Sequence, residues 1–257
     1  MLVAGEAASG AVTGASSHMN SIAENEARFK SAAGRIRATV EALELIAEPG
    51  QLVELRILGV EGNDRRVDSG YFTDWAKLGK AASSYHNRAR GIYITLNPVN
   101  PDLLARAANR VETWAKATTA DVDIVCRRWL PIDVDPVRPA GISANEAEHA
   151  AALERTREIR AWLTARGWPE PIYADSGNGG HLLYRVDLDN DEAGKALIEN
   201  VLKALAAQFT DDALTVDTKV GNAARIWKLY GTQARKGDST ADRPHRWAQI
   251  LEAPDAN

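Results

Sequence analysis

Trp129-Leu130-Pro131-Ile132-Asp133-Val134-Asp135-Pro136 is the stretch on which the reading of this chain turns. In a strand, side chains alternate between faces, so Leu130, Ile132 and Val134 enter a core while Asp133 and Asp135 project together on the other side. Two carboxylates on one edge repel unless a positive charge joins them. A hard divalent cation such as Mg²⁺ does this, since it takes oxygen ligands and uses one or two carboxylates together with substrate phosphates. A solvated strand end explains the same residues, so the neighbours of the strand must decide.

Working outward, the segment after this strand reads in a definite order. Ser143-Ala144-Asn145-Glu146 predicts a capping box opening a helix that stops at Gly167. Strands follow at Pro171–Asp175 and His181–Val186, joined by Ser176-Gly177-Asn178-Gly179-Gly180, whose Asn-Gly pair signals a hairpin. Asp189 and Glu192 open a second helix with Leu197, Ile198, Val201, Leu202 and Leu205 on its buried face, and Leu214–Lys219 predicts a fourth strand. The succession β-α-β-β-α-β is the split βαβ, or ferredoxin-like, motif. Right-handed crossovers place the third strand between the first and second, and the fourth beside the first. Asp133, Asp135, Asp217 and His181 are thereby expected at one rim. Three carboxylates there are enough for two divalent ions roughly 3.5–4 Å apart, the arrangement that supports phosphoryl or nucleotidyl transfer. This expectation requires Asp217 to face the other two acids.

The glycine run adds an anion-binding element. Glycines let backbone N–H groups approach a ligand, while Ser176 offers a hydroxyl and His181 a ring N–H to phosphate oxygens; a plain hairpin turn is the competing reading.

Upstream, residues 1–20 are rich in Gly, Ala and Ser without an apolar period, an arm without fixed structure or a cloning remnant. Residues 21–118 read as an α/β unit of their own: a helix over Ile22–Ala47, a strand over Leu52–Val60, a helix from Trp75 capped by Asp74, a strand over Gly91–Leu96, and a helix from Asn100-Pro101 to about Trp114. Asn97, Arg106 and Asn109 near its ends fit turn and helix-surface positions as well as ligand contacts. The boundary falls within Lys116–Ala120, and 119–257 forms the second unit.

The formal charge of −4, from 31 basic and 35 acidic residues, excludes a protein that coats nucleic acid by bulk electrostatics. Basic residues are nevertheless dense late in the chain, at Lys219, Arg225, Lys228, Arg235, Lys236, Arg243 and Arg246, either as a solvated face or as an anion-binding groove. The single cysteine, Cys126, excludes a disulfide framework and predicts lone burial in a reducing setting. No apolar run reaches membrane-span length and no signal peptide opens the chain, so a cytoplasmic location is expected. Zinc spacing, a Gly-x-Ser-x-Gly elbow, a Walker loop and a dinucleotide fingerprint are all missing from the sequence.

Taken together, Asp133-Val134-Asp135, Ser176-Gly177-Asn178-Gly179-Gly180-His181 and Val216-Asp217 resemble the three motifs of the archaeo-eukaryotic primase superfamily. The run Asn222–Thr232 with Arg235-Lys236-Gly237 resembles the nucleotide-binding extension of its bacterial and phage primase-polymerase branch. The resemblance covers about Asp123 to Arg246. It implies an α+β fold in which an RRM-like (ferredoxin-like βαββαβ) catalytic module packs on an N-terminal α/β subdomain. It implies further that Asp133, Asp135 and Asp217 ligate two Mg²⁺ or Mn²⁺ ions. Ser176, Gly177, Asn178, Gly180 and His181 would hold a nucleoside triphosphate, while Arg225, Lys228, Arg235 and Lys236, with Arg138 as a weaker candidate, contact phosphates or template backbone. The implied partners are nucleoside triphosphates and a single-stranded or primed DNA template; the helicase or zinc-binding element that many relatives carry is not visible in this sequence. Two other classes stay open: a template-independent nucleotide cyclase or oligonucleotide synthase, and a non-catalytic nucleic-acid-binding module, which the shortage of sheet aromatics disfavours.

Overall fold

The computed structural model describes residues 27–254. Residues 27–29 are helical, the helix breaks at Lys30-Ser31 where the sequence predicts one helix over Ile22–Ala47, and α1 (Ala32–Ile46) starts anew, capped by Ser31, whose side chain accepts from the Gly34 N–H, and ends before Pro49-Gly50. The expected start at Ile22, like the 1–20 arm, lies outside the described residues. A hairpin of β1 (Val53–Val60) and β2 (Asn63–Phe72) leads to α2 (Trp75–Ser84), with Asp74 as its N-cap, and then to β3 (Gly91–Thr95). Leu43, Leu55, Ile57, Phe72, Leu78 and Ile94 form the core between these strands and helices.

The helix expected from Asn100-Pro101 to Trp114 is a single 3₁₀ turn, Pro101–Arg106. Asn100 does cap it, accepting from the Asp102 N–H. Beyond Arg106 the backbone instead joins the open edge of β2, with hydrogen bonds between Tyr71 and Ala107, Asn109 and Tyr71, and Ser69 and Glu112. Unpaired N–H and C=O groups on a strand edge seek partners, and here they outcompete helix continuation. Gly70 permits the approach, because a Cβ there would lie 2.0 Å from the Arg110 carbonyl oxygen.

After a short turn at Asp121–Asp123 come β4 (Cys126–Pro136), α3 (Glu146–Thr164), β5 (Ile172–Asp175), β6 (Gly180–Asp189), α4 (Glu192–Phe209) and β7 (Leu214–Val216). The chain continues through β8 (Ile226–Lys228), β9 (Gln233–Ala234), β10 (Arg246–Trp247) and β11 (Gln249–Glu252). The larger sheet has the order β11-β5-β6-β4-β7 and the smaller β2-β1-β3-β8, all pairs antiparallel. β4 thus lies between β6 and β7, the adjacency derived above from the element order. The architecture is mixed α+β.

The capping box sits two residues later than expected. Asn145 and Glu148 exchange side-chain and backbone hydrogen bonds at 2.8 and 2.9 Å, because Ser143 donates its hydroxyl to the Lys236 carbonyl and the Ala144 N–H donates to Asn178. On one face of the larger sheet, Ile132 and Val134 meet Ala152 and Ile159 of α3 and Ile198 and Leu202 of α4. The other face is closed in part by α1 and β8: the Trp129 indole N–H donates to the Ile46 carbonyl, and Leu96, Trp227 and Tyr230 pack in the same cluster. The late strand β8 belongs to the smaller sheet, pairing Tyr93 with Lys228, and so ties the two sheets together beside the end of β4. Cys126, expected to be buried, is only half-buried. Among the described residues no helix is long and apolar enough to cross a membrane.

Candidate active site

Antiparallel register places Asp133 directly opposite His181, so the imidazole and the carboxylate leave the same face of adjacent strands. His181 Nε2 lies 3.4 Å from Asp133 Oδ1, and Nδ1 lies 3.0 Å from the Tyr230 hydroxyl. Tyr230 also accepts from the Trp227 indole at 2.9 Å, and Trp227 packs on the imidazole with ring centroids 4.1 Å apart. His181 is therefore a fixed group, held by two aromatic residues of the β8 segment. Burial opposes the charge on Asp133, but His181, aided by Lys236 and Arg225, holds its carboxyl below the usual carboxylate range.

Asp135 shifts the other way. Burial and then the neighbouring Asp133 push its carboxyl up, against weaker attraction from Lys236 and Arg138. Its partners are distant: Arg138 at 3.4 Å and Lys236 at 4.0 Å. Burial, followed by the same two carboxylates, also raises the Tyr93 phenol.

Asp217 does not complete the expected cluster. Its backbone N–H donates to the Asp133 carbonyl at 2.9 Å, which brings the residue to the right edge. The carboxylate, however, accepts from the Lys219 N–H at 2.8 Å and faces Arg225 at 3.4 Å. β7 stops at Val216 rather than Lys219, and Asp217 caps the 3₁₀ turn Thr218–Gly221. Short polar side chains favour exactly such local capping over projection from a strand. Among the described residues no three His, Cys, Asp or Glu side chains come together in a metal-holding group.

The glycine run is a tightly closed loop. Ser176 Oγ accepts from the N–H groups of Asn178 and Gly179, and Asn178 Oδ1 accepts from Ala144 N–H, so both side chains are engaged within the protein. Gly177 has φ +87°, and a Cβ on Gly179 or Gly180 would lie 2.1 Å from the Val134 carbonyl oxygen or 2.0 Å from Thr156 Oγ1. Close packing of β4, α3 and the loop thus accounts for these glycines, in addition to any ligand role. Two residues absent from the sequence-based set hold the loop from behind. Asp175 Oδ1 accepts from Gly177 N–H at 2.6 Å and faces His149 Nε2 at 2.9 Å. Nothing in their local pattern marks either one, since His149 reads as helix interior and Asp175 as a strand end.

The late basic residues separate into different roles. Lys236 and Arg225 face the acids, whereas Arg243 and Arg246 pair with Glu148 and Glu146 of α3. Lys228 is buried, donating to the Gln233 carbonyl and lying 5.5 Å from the Tyr93 ring; burial and the nearby Lys236 depress its pKa to about 7. Arg235 lies apart, in a cleft with Arg35 and Trp247.

One solved structure is similar enough to identify the fold. The AEP domain of the cyanophage S-2L primase-polymerase superposes with a TM-score of 0.50 at 15% identity, over 86% of this chain and 91% of that one. The chain shares the fold of that AEP domain. Primase RepB′ gives a TM-score of 0.46 at 13% identity over 85% of this chain and 56% of its own, and the catalytic domain of primase RepB′ in complex with initiator DNA gives 0.42 at 13% over 84% and 85%. No protein-family model and no curated protein matches the chain. In this primase-type fold, Asp133, Asp135 and His181 sit where the end of β4 meets β6 and the β8 segment.

Proposed function

We propose that this chain is a template-directed nucleotidyltransferase, a primase-polymerase that synthesises or extends primers from nucleoside triphosphates. The reading treats residues 119–257 as an RRM-like catalytic unit set on the 21–118 α/β unit, with the site between them. The observation that carries it is the Asp133–Asp135 pair: two partly buried carboxylates on one strand face, one raised by burial and by the other's charge, with basic neighbours no closer than 3.4 Å.

That donor pair fits Mg²⁺ or Mn²⁺ in chemistry, being hard oxygen donors whose mutual repulsion a cation relieves. Asp217 as placed does not fit a second ion, and a two-ion site requires its carboxylate to leave Arg225. Divalent cations bound there would make a primer hydroxyl more acidic and offset charge on departing pyrophosphate. The chain's own residues supply the rest. His181, fixed by Tyr230 and Trp227, offers an N–H toward the acids and an incoming phosphate. Lys236 and Arg225 border the same rim and would balance triphosphate charge. Ser176, Gly177, Asn178 and Gly180 would act by holding the loop's shape beside the nucleotide, since their polar side chains are already engaged. A single-stranded or primed DNA template is the partner, and a helicase or accessory domain would act from outside these residues.

The test is a metal-dependent assay on single-stranded template, with and without primer, comparing NTPs and dNTPs and including Asp133→Asn with Asp135→Asn. Template-dependent, metal-dependent product that the double variant fails to make supports the reading. Product made equally without template assigns a cyclase or oligonucleotide synthase instead, and near-normal extension by the double variant overturns the site.

A further inference from the structure

On the side of the β9–β10 ribbon away from the acids lies a second cleft, between α1, the end of α2 and the ribbon. Arg35, Thr39, Ser83, His86, Arg235 and Trp247 line it. Arg235 and Lys236 are consecutive, yet Lys236 reaches toward Asp135 while Arg235 lines this cleft, as alternation along an extended segment requires. Arg225, Lys236, Arg243 and Arg246 each face a carboxylate. Among the described residues Arg235 has none, and Arg35 donates only to Ser83 Oγ and the carbonyls of Phe29 and Lys30. His86 lines the same cleft as both guanidinium groups, and burial, followed by the charges of Arg35 and Arg235, lowers its pKa. Trp247 stacks between Phe29 and His86 at 4.8 and 5.2 Å and fixes that wall. Two guanidinium groups lining one cleft, with no acid paired to them among the described residues, leave positive charge that a bound anion would offset.

We propose that this cleft is a phosphate-ester subsite, separate from the carboxylate centre, in which Arg35 and Arg235 grip one phosphoryl group. The inference rests on the polymerase reading only for the source of that group, which is either the backbone of a single strand or the phosphate tail of a free nucleotide. Guanidinium forks match phosphate oxygens in pairs, and Ser83 adds a hydroxyl beside Arg35.

The experiment measures binding of a labelled single-stranded oligonucleotide by fluorescence anisotropy, in EDTA and without nucleotide, across a salt series. A parallel calorimetric titration uses ATP alone. Wild type is compared with Arg35→Gln, Arg235→Gln, the double variant, Arg35→Lys, and Lys203→Gln on the exposed side of α4 as a charge control. The expected result is several-fold weaker strand binding for each Gln variant, a salt slope shallower by about 0.7 per lost contact, and partial rescue by Arg35→Lys. Weakened ATP binding with unchanged strand binding keeps the subsite and assigns its phosphate to free nucleotide. Unchanged binding of both, or an equal loss in Lys203→Gln, overturns the subsite. Primer extension by the same proteins separates the two claims: active wild type with unchanged variant binding sinks the cleft alone, whereas weakened strand binding with no extension by wild type sinks the polymerase reading alone.

Discussion

Two groups of acids in this molecule differ in completion, one fully buried and filled, the other partly buried and short of donors. In the smaller sheet, Glu54 accepts from Arg56 at 2.6 and 3.1 Å, from Ser69 Oγ at 2.5 Å and from Thr119 N–H at 3.0 Å. Asp68 likewise receives two bonds from Arg66, one from Tyr85 and one from Trp114 N–H, all at 2.9 Å. Burial opposes the Asp68 charge, and these donors together hold its pKa below the usual value. At the end of β4, Asp133 and Asp135 have neighbours at 3.4–4.0 Å and each other's charge. A network in which every lone pair is filled specifies a fold, while one left short of donors is prepared for something from outside.

The largest test of that contrast removes the unfilled pair. Asp133→Asn with Asp135→Asn should lower template-dependent extension by about a thousandfold or more, equivalent to roughly 4 kcal/mol of lost charge stabilisation. Its melting temperature should hold or rise, because a like-charge repulsion disappears with the acids. The converse change, Glu54→Gln, should cost about 3–5 kcal/mol in denaturant unfolding by leaving Arg56 without its buried partner. The specific activity of its folded fraction should stay near that of wild type. If Glu54→Gln is neutral in stability, the filled network is not what holds the smaller sheet.

His181→Gln makes a smaller and more local change. His181 is the chief influence opposing the burial that would raise Asp133. Without it the Asp133 pKa moves up, and the acid limb of the kcat/KM profile should move to higher pH. An unmoved limb removes His181 from contact with the acids.

An effect on stability alone, not on the reaction, concerns Lys228, whose folded pKa of about 7 lies below its ordinary 10.5. Between those values the unfolded chain binds the extra proton, so this group makes stability rise with pH, and the penalty is full below about 7. Lys228→Met should therefore raise Tm at pH 6 by about 2–4 °C for each kcal/mol recovered. Well above pH 10.5 the gain should vanish, and a pH-independent gain would assign the effect to packing.

Much of this is legible in the sequence. Ile132 and Val134 read as core because strand alternation leaves no other place for them, and the β-α-β-β-α-β order restricts strand adjacency so tightly that β4 could be set between β6 and β7. Asp133, Asp135 and His181 follow from that adjacency. The helix after Asn100 and the capping box at Ser143 were misplaced for one shared reason. In both, backbone or side-chain groups found partners distant in sequence, at the β2 edge and at Lys236 and Asn178, which no local pattern records.

What the residues alone settle is the alternating face that brings two acids together, because side-chain direction in a strand is a property of backbone geometry at each position. Whether a third acid joins them depends on the termination of β7, where Asp217 chooses between a cap and a projection according to the loop and Arg225 around it. Tertiary packing likewise sends Lys236 toward the acids, encloses Lys228, and leaves Arg235 and Arg35 together in a separate cleft. Those outcomes turn on distances between segments remote along the chain, set when the two sheets close against each other.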